Sequence, residues 1–341
     1  MERYQEIERS IITKYRAKIW SKFIKGIKEF KMVEDGDKIA VCMSGGKDSM
    51  LLAKCFQELH KYSETKFDLV FLVMNPGYNE INKQKIIKNA ELLNIPITMF
   101  ETNIFECVDR IEDHPCYICA RMRRGYLYRK AKELGCNKIA LGHHFDDVIE
   151  TVLMSMFYGA QIQTMMPKVK STSHPGMELI RPLYYVKEAD IINWKNKNDL
   201  DFIQCACKVT EKNNTDEMGS KRIEMKNLIK QLRKTYKNID MNIMRSTQNV
   251  SIEQVIAYIK DGKKHHFLDE WWGKGEKGTV LFSHFNNQWN GKREPSLFPK
   301  KEAIYYDFLS NSYKQILCVV KQIISESHLF PKSCGASWNA V

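Results

Sequence analysis

No run of about 18 or more consecutive apolar residues occurs in this chain, so no helical membrane span is expected. Its first twenty residues, MERYQEIERSIITKYRAKIW, are charged throughout and lack the apolar core of an export signal, which points to a cytoplasmic protein. Without export a disulfide framework is not expected, although ten cysteines are present. No internal repeat is visible, which argues against a solenoid. Acidic residues are in deficit: 53 Lys and Arg face 41 Asp and Glu, a formal charge of +12. Such an excess suits a polyanionic partner, because cations that neutralise phosphates gain from counterion release.

The 341 residues suffice for about two domains, and a 43% hydrophobic share permits a real core. Residues 5–31 read as one amphipathic basic helix, with Ile7, Ile11, Ile12, Ile19, Trp20, Phe23 and Ile27 near helical spacing. Strands and helices then alternate. Strands are expected in KIAVCM (38–43), FDLVFLVM (67–74), PITMFET (96–102), NKIALG (137–142) and MELIRPLYY (177–185). Helices are expected from Asp48, over 79–94, over 117–135, over 145–159 and over 187–198. This order predicts an α/β fold, a doubly wound and mainly parallel sheet covered on both faces, with ligands beyond the carboxyl ends of the strands. SGGKDS (44–49), MNPG (74–77) and GHHFDD (142–147) all fall there.

SGGKDS fits neither G-x-x-x-x-G-K-[ST] nor G-x-G-x-x-G. It still has the parts of an anion nest. Gly45 and Gly46 allow close backbone approach, Lys47 adds charge, and Ser44 and Ser49 add hydroxyls. Asp48 beside a phosphate calls for a Mg²⁺ between them. In GHHFDD, Gly142, His143, His144 and Asp147 stand at the mouth of the same sheet, two imidazoles beside two carboxylates. Cys116 and Cys119 form a CxxC at the start of a helix, and Cys205 and Cys207 form a second, CxC pair. Close pairs in a chain without export read as a redox couple, a zinc site or an iron–sulfur site. Cys42, Cys55, Cys107, Cys136 and Cys318 read as core filler.

S-G-G-K-D-S after a strand resembles the PP-loop of the ATP pyrophosphatase superfamily, and LGHHFDDVIETVL resembles its later motif. The combination with CxxCxxxRRG and a late cysteine resembles the TtcA-type tRNA 2-thiocytidine synthetases, over about residues 5–270. That resemblance implies ATP binding by Ser44, Gly45, Gly46, Lys47, Asp48, Ser49, Met74, Asn75, Gly142 and His143. It implies catalytic roles for Lys47, Asp48 and Asp147, and Mg²⁺ on Asp48. It implies a [4Fe-4S] cluster on Cys116, Cys119 and Cys207, with Cys205 the runner-up third ligand. The chain departs from the family's usual late CxxC, which leaves that choice open. Arg121, Arg123 and Arg124 would contact RNA. The partners implied are tRNA, a sulfur donor such as a cysteine desulfurase, and a second copy in a homodimer. The implied reaction adenylates the C2 oxygen of a cytidine and replaces it with sulfur. Thiouridine or lysidine synthesis, or a non-catalytic cluster-bearing RNA-binding protein, are the alternatives. The expected organisation is a basic helix (1–35), a PP-loop domain (36–236), a further family segment (237–271) and an extension of unassigned role (272–341).

Overall fold

The run Lys38–Met43 is apolar at nearly every position, and such a strand needs cover on both faces. In the computed structural model, which describes residues 2–108, 115–203 and 217–271, it is the central strand β1. Its sheet also holds β2 (Asp68–Asn75), β3 (Ile97–Glu101), β4 (Lys138–Ala140), β5 (Lys168–Lys170) and β6 (Glu178–Ile180), in the order β3-β2-β1-β4-β6-β5. Every pairing is parallel except that of β5 with β6. The doubly wound, mainly parallel sheet expected from the alternation is therefore present. The chain runs outward from β1 through β2 to β3, then returns to pair β4 on the other flank of β1. Loops leaving β1 and β4 thus diverge, and the crevice between them is the ligand position of an open α/β sheet.

Helices α3 (Lys47–Tyr62), α4 (Glu80–Leu92), α5 (Ile104–Val108), α6 (Pro115–Glu133), α7 (Phe145–Gly159) and α8 (Glu188–Lys197) follow their strands. After the undescribed residues 204–216 come α9 (Glu217–Thr235) and α10 (Ile239–Ser246). The strand expected over 177–185 is only Glu178–Ile180. Pro182 cannot donate to a ladder, and the chain turns instead, Tyr184 N–H bonding to Arg181 carbonyl at 3.1 Å. The antiparallel edge strand β5 was not expected.

The single helix expected over 5–31 is also broken. It comprises α1 (Arg3–Ile12), a wide π-type turn over Arg16–Trp20 and α2 (Ser21–Glu29). Ile7, Ile11, Tyr15, Ile19, Phe23 and Ile27 are all buried at a strict spacing of four. At 3.6 residues per turn that stripe would drift off the core, and the wider turn restores it.

The chain divides into two units, residues 1–251 and 252–341. In the second, β7 (Ala257–Lys260) and β8 (Lys263–His266) form an antiparallel hairpin before α11 (Phe267–Trp271). Asp261 and Gly262 both have positive φ, +51° and +74°, as a tight hairpin turn requires. The extension 272–341 lies outside the described residues. Among those described, no helix is long and apolar enough to cross a membrane.

A buried ion pair fixes the amino-terminal end of β4, opposite the crevice. Lys138, 2% exposed, donates to Asp37 Oδ2 at 2.6 Å, and Asn137 Nδ2 donates to Asp37 Oδ1 at 2.8 Å. Burial disfavours the Lys138 charge, but Asp37 and Glu34 outweigh it and raise the pKa. Removing one partner strands the other charge. Lys138→Ala is expected to destabilise the fold by about 3–5 kcal/mol in urea unfolding; a loss below about 1 kcal/mol would show that the pair does not anchor the strand.

Candidate active site

β1 ends at Met43, and Ser44, Gly45 and Gly46 turn the chain into α3, whose first residue is Lys47. Gly45 has φ +81°, and a Cβ there would lie 2.5 Å from Ile86 Cγ1, so glycine is required. The loop is latched from within. Ser44 N–H donates to Ser49 Oγ at 3.2 Å, and that hydroxyl donates to Gly46 carbonyl at 2.9 Å. The opening turn of α3 leaves backbone N–H groups without helical partners, the usual anion nest.

The loop after β4 faces it. Gly142 packs main chain to main chain: a Cβ there would lie 3.1 Å from both Asp48 C and Ser49 N. His144 caps α7. Its Nδ1 accepts from Asp147 N–H at 3.4 Å, while Asp147 Oδ2 accepts from His144 N–H at 3.0 Å. The reciprocal pair is a capping box with His in place of Ser or Thr.

Two cavities open from this junction. One of about 360 Å³ is lined by Ser44, Asp48, Ser49, Met74, Gly142, His143 and Asp147, with Ala120, Arg123, Arg124 and Leu127 forming the α6 wall. Those α6 positions are spaced as one helical face. The other, of about 320 Å³, is lined by Lys47, Asp48, His144, Asp147, Glu150, Glu188, Arg222, Ile223 and Lys226. Asp48 and Asp147 border both.

The nest, Asp48, Asp147, Gly142, His143, Met74, Arg123 and Arg124 are therefore brought together. Asn75 is not among the lining residues. Its Oδ1 accepts from Gly77 N–H at 3.1 Å and Tyr78 N–H at 2.7 Å, which shapes the turn after β2. Arg121 is exposed on α6 away from the cavity lining. Cys119 is half-buried and packs beside Met74, Ile104 and Val108. Cys116 belongs to the first turn of α6, one turn before Ala120. Cys205 and Cys207 lie outside the described residues. Cys42, Cys55 and Cys136 are buried, and burial pushes the Cys42 thiol up to about 12.

Charge organises the second cavity. Lys47 Nζ lies 3.1 Å from Asp48 Oδ2 and 3.2 Å from Glu188 Oε1. Burial works against its charge, but the two carboxylates outweigh burial and raise its pKa. Lys226 Nζ meets Glu188 Oε2 at 2.7 Å. Burial alone would raise the Glu188 pKa, yet Lys226 and Lys47 hold it down at about 2. Arg222 Nη1 lies 2.9 Å from Asp147 Oδ1 and 3.7 Å from Glu150 Oε2. Asp48 Oδ1 and His143 Nδ1 are buried without hydrogen-bond partners among the described residues. Burial, followed by Arg181, lowers the His143 pKa to about 4, so its ring is neutral at pH 7. Glu150, Glu188, Arg222 and Lys226 are absent from the sequence reading. Glu188 had a usable signal, as it opens the helix expected just past the strand ending in RPLYY; the α9 cations had none.

Burial raises the Glu150 pKa to about 7, against an ordinary value near 4.5. The folded state thus resists its ionisation, and stability falls as pH rises from about 4.5 to 7. Glu150→Gln removes that cost. The variant is expected to be more stable than the parent at pH 8, by roughly 1–3 kcal/mol, with the gain gone below pH ~4.5. A pH-independent difference in thermal unfolding would contradict this origin.

Comparison with known proteins agrees with this geometry. The PP-loop domain family matches residues 18–217. The tRNA-cytidine(32) 2-sulfurtransferase of Neisseria meningitidis serogroup C is 40% identical over 185 residues, 52% of this chain and 57% of that protein. The chain thus spans little more than half the length of that relative. The tRNA-cytidine(32) 2-sulfurtransferase of Paraburkholderia xenovorans is 36% identical over 249 residues, 71% of this chain and 70% of that protein. Among solved structures, the U34-tRNA thiolase NcsA from Methanococcus maripaludis superposes with a TM-score of 0.51 at 23% identity, covering 69% of this chain and 82% of that one, which is a likeness of fold. With its nest after β1, its GHHFDD loop after β4 and these relatives, the chain belongs to the PP-loop domain family.

Proposed function

We propose that this chain thiolates tRNA at the expense of ATP, converting a cytidine to 2-thiocytidine and releasing AMP and pyrophosphate. The observation that carries the reading is the shared cavity. The nucleotide loop forms one wall, and α6, which begins with Cys116 and Cys119, forms another. The similarity to tRNA-cytidine(32) 2-sulfurtransferases supports the same reaction.

In this reading the triphosphate lies on the nest of Gly45, Gly46 and the first turn of α3. Lys47 exchanges Glu188 for a phosphate oxygen, and Glu188 keeps Lys226 as its counter-charge. Asp48 Oδ1, which makes no hydrogen bond among the described residues and lies 3.8 Å from His144 Nε2, fits a Mg²⁺ together with Asp147 across the crevice. Such an ion would neutralise charge developing on the phosphates. The C2 oxygen of cytidine attacks the α-phosphorus, and the bond to the pyrophosphate oxygen breaks. Neutral His143 offers its buried ring nitrogen as a hydrogen-bond partner to the substrate, without adding charge. Arg123 and Arg124 face the cavity as counter-charges for substrate phosphates. Sulfur at the sulfide level then replaces the adenylated oxygen at C2, and AMP leaves, so the exchange needs no net oxidant.

Cys116, Cys119 and Cys207, with Cys205 as the other candidate, suit a [4Fe-4S] cluster. Bound by three thiolates, it would offer one iron with an open position for sulfur. A cysteine desulfurase would supply the sulfur as a persulfide, which a thiol reductant would bring to the sulfide level with formation of a disulfide; a homodimer is the working assembly, and the cytoplasm is its place.

Two variants separate the halves of the site. Lys47→Ala is expected to retain iron and visible absorption under anaerobic purification, and to lose tRNA-dependent pyrophosphate release by about 100-fold or more. Cys116→Ala is expected to lose iron and thiolation while ATP affinity, read by calorimetry, stays within about twofold. Thiolation by the cysteine variant, or pyrophosphate release by the lysine variant at the parental rate, would refute the respective assignment.

A further inference from the structure

The far end of α7 exposes apolar side chains that no part of the site uses. Phe157 is 56% exposed, Ile162 66% and Met166 55%, with Met156 and Tyr158 exposed beside them. Single exposed apolar residues are ordinary, but a contiguous set with two aromatics marks a contact surface. Its charge is unusual too. The 27 residues from Thr151 to Met177 include no Asp or Glu, although the chain has 41 in 341 and about three would be expected. The same stretch carries Lys170 and Lys168, the latter paired with Glu178 at 3.0 Å, and Lys221 Nζ stands 5.1 Å from the centre of the Tyr158 ring. Glu224, from α9, bonds the Tyr158 hydroxyl.

The surface is continuous with the candidate active site. α7 begins at the His144 cap and carries Asp147, and at 1.5 Å per residue Phe157 lies ~15 Å further along its axis. α9 ties the two regions together: Arg222 bonds Asp147 at 2.9 Å, and Glu224, two residues on, bonds Tyr158.

We infer that this end of α7 and the loop after it are a stacking surface for unpaired nucleotides of an RNA loop, those flanking the base that enters the cavity. Unstacked bases bind aromatic faces, and their phosphates favour a surface on which cations outnumber carboxylates. A second protein copy would use the apolar side chains equally well. The absence of acids over 151–177 favours the polyanion, since the carboxylate that reaches Tyr158, Glu224 from α9, is engaged by the Tyr158 hydroxyl with Lys221 over the same ring. The inference rests on the tRNA reading above and names which face meets the RNA.

The test uses the full chain, purified anaerobically, with a tRNA, a short stem–loop RNA and a fully paired duplex of equal length as probes. Phe157→Ala is expected to weaken stem–loop and tRNA binding roughly tenfold or more, to abolish the preference for stem–loop over duplex, and to leave ATP binding unchanged. Phe157→Trp should keep that preference. Because Phe157 is exposed, unaltered thermal unfolding should accompany both changes. Parental RNA affinity in Phe157→Ala would overturn the surface while leaving the tRNA reading intact. A dimer that becomes monomeric on the same substitution, measured by light scattering, would overturn it in favour of a second copy. Failure of the unaltered chain to bind any of the RNAs would overturn both the surface and the tRNA reading.

Discussion

At Gly142 the loop after β4 packs on the first turn of α3 so closely that a Cβ would lie only 3.1 Å from its main chain. That contact sits where the strand order reverses about β1. It brings an anion nest, made by one loop, against a histidine–aspartate loop made by the other. Both cavities open from it, and Asp48 and Asp147 belong to both because they flank it. The α6 wall then sets the depth of the larger cavity and puts the CxxC helix within a turn of its lining. Displacing this contact would move Asp48 relative to His143 and Asp147, the groups that line the cavity from its two sides.

The charges around the contact are paired so that they can be exchanged. Lys47 shares Glu188 with Lys226, so Lys47 can turn to a phosphate without leaving Glu188 buried and alone. Arg222 has Glu150 as a second acceptor beyond Asp147, at 3.7 Å, although burial raises the Glu150 pKa to about 7. Both cations come from α9, the helix that follows the segment carrying Cys205 and Cys207. The same acids that would face a nucleotide therefore also dock that helix.

Local chemistry made part of this site readable in advance. SGGKDS and GHHFDD are contiguous, each encodes its own turn and helix start, and the strand–helix alternation put both at the same edge of the sheet. Asn75 does not line the cavity, and its side chain organises the turn after β2, where Pro76 and Gly77 follow it. His144, expected only at the mouth of the sheet, caps α7 and also lines the second cavity. Arg222 and Lys226 join the site from a helix more than 70 residues away from GHHFDD, by tertiary packing that has no local signature, whereas Glu188 opens a helix that follows a strand of the same sheet. The N-terminal helix breaks for a related reason: a spacing of four fits the core only if the helix widens. Pro182 shortens β6 by removing a donor that a strand prediction from apolar content overlooks.

The central claim is that the nucleotide loop activates the oxygen that sulfur replaces. The most direct test is the fate of that oxygen. A tRNA carrying heavy oxygen at C2 of its cytidines would be incubated anaerobically with the iron-loaded protein, ATP, Mg²⁺ and sulfide, and the products resolved by mass spectrometry. The account predicts heavy oxygen in the phosphate of AMP, in proportion to the 2-thiocytidine formed. Heavy oxygen in pyrophosphate, in inorganic phosphate or in water, with unlabelled AMP, would contradict it.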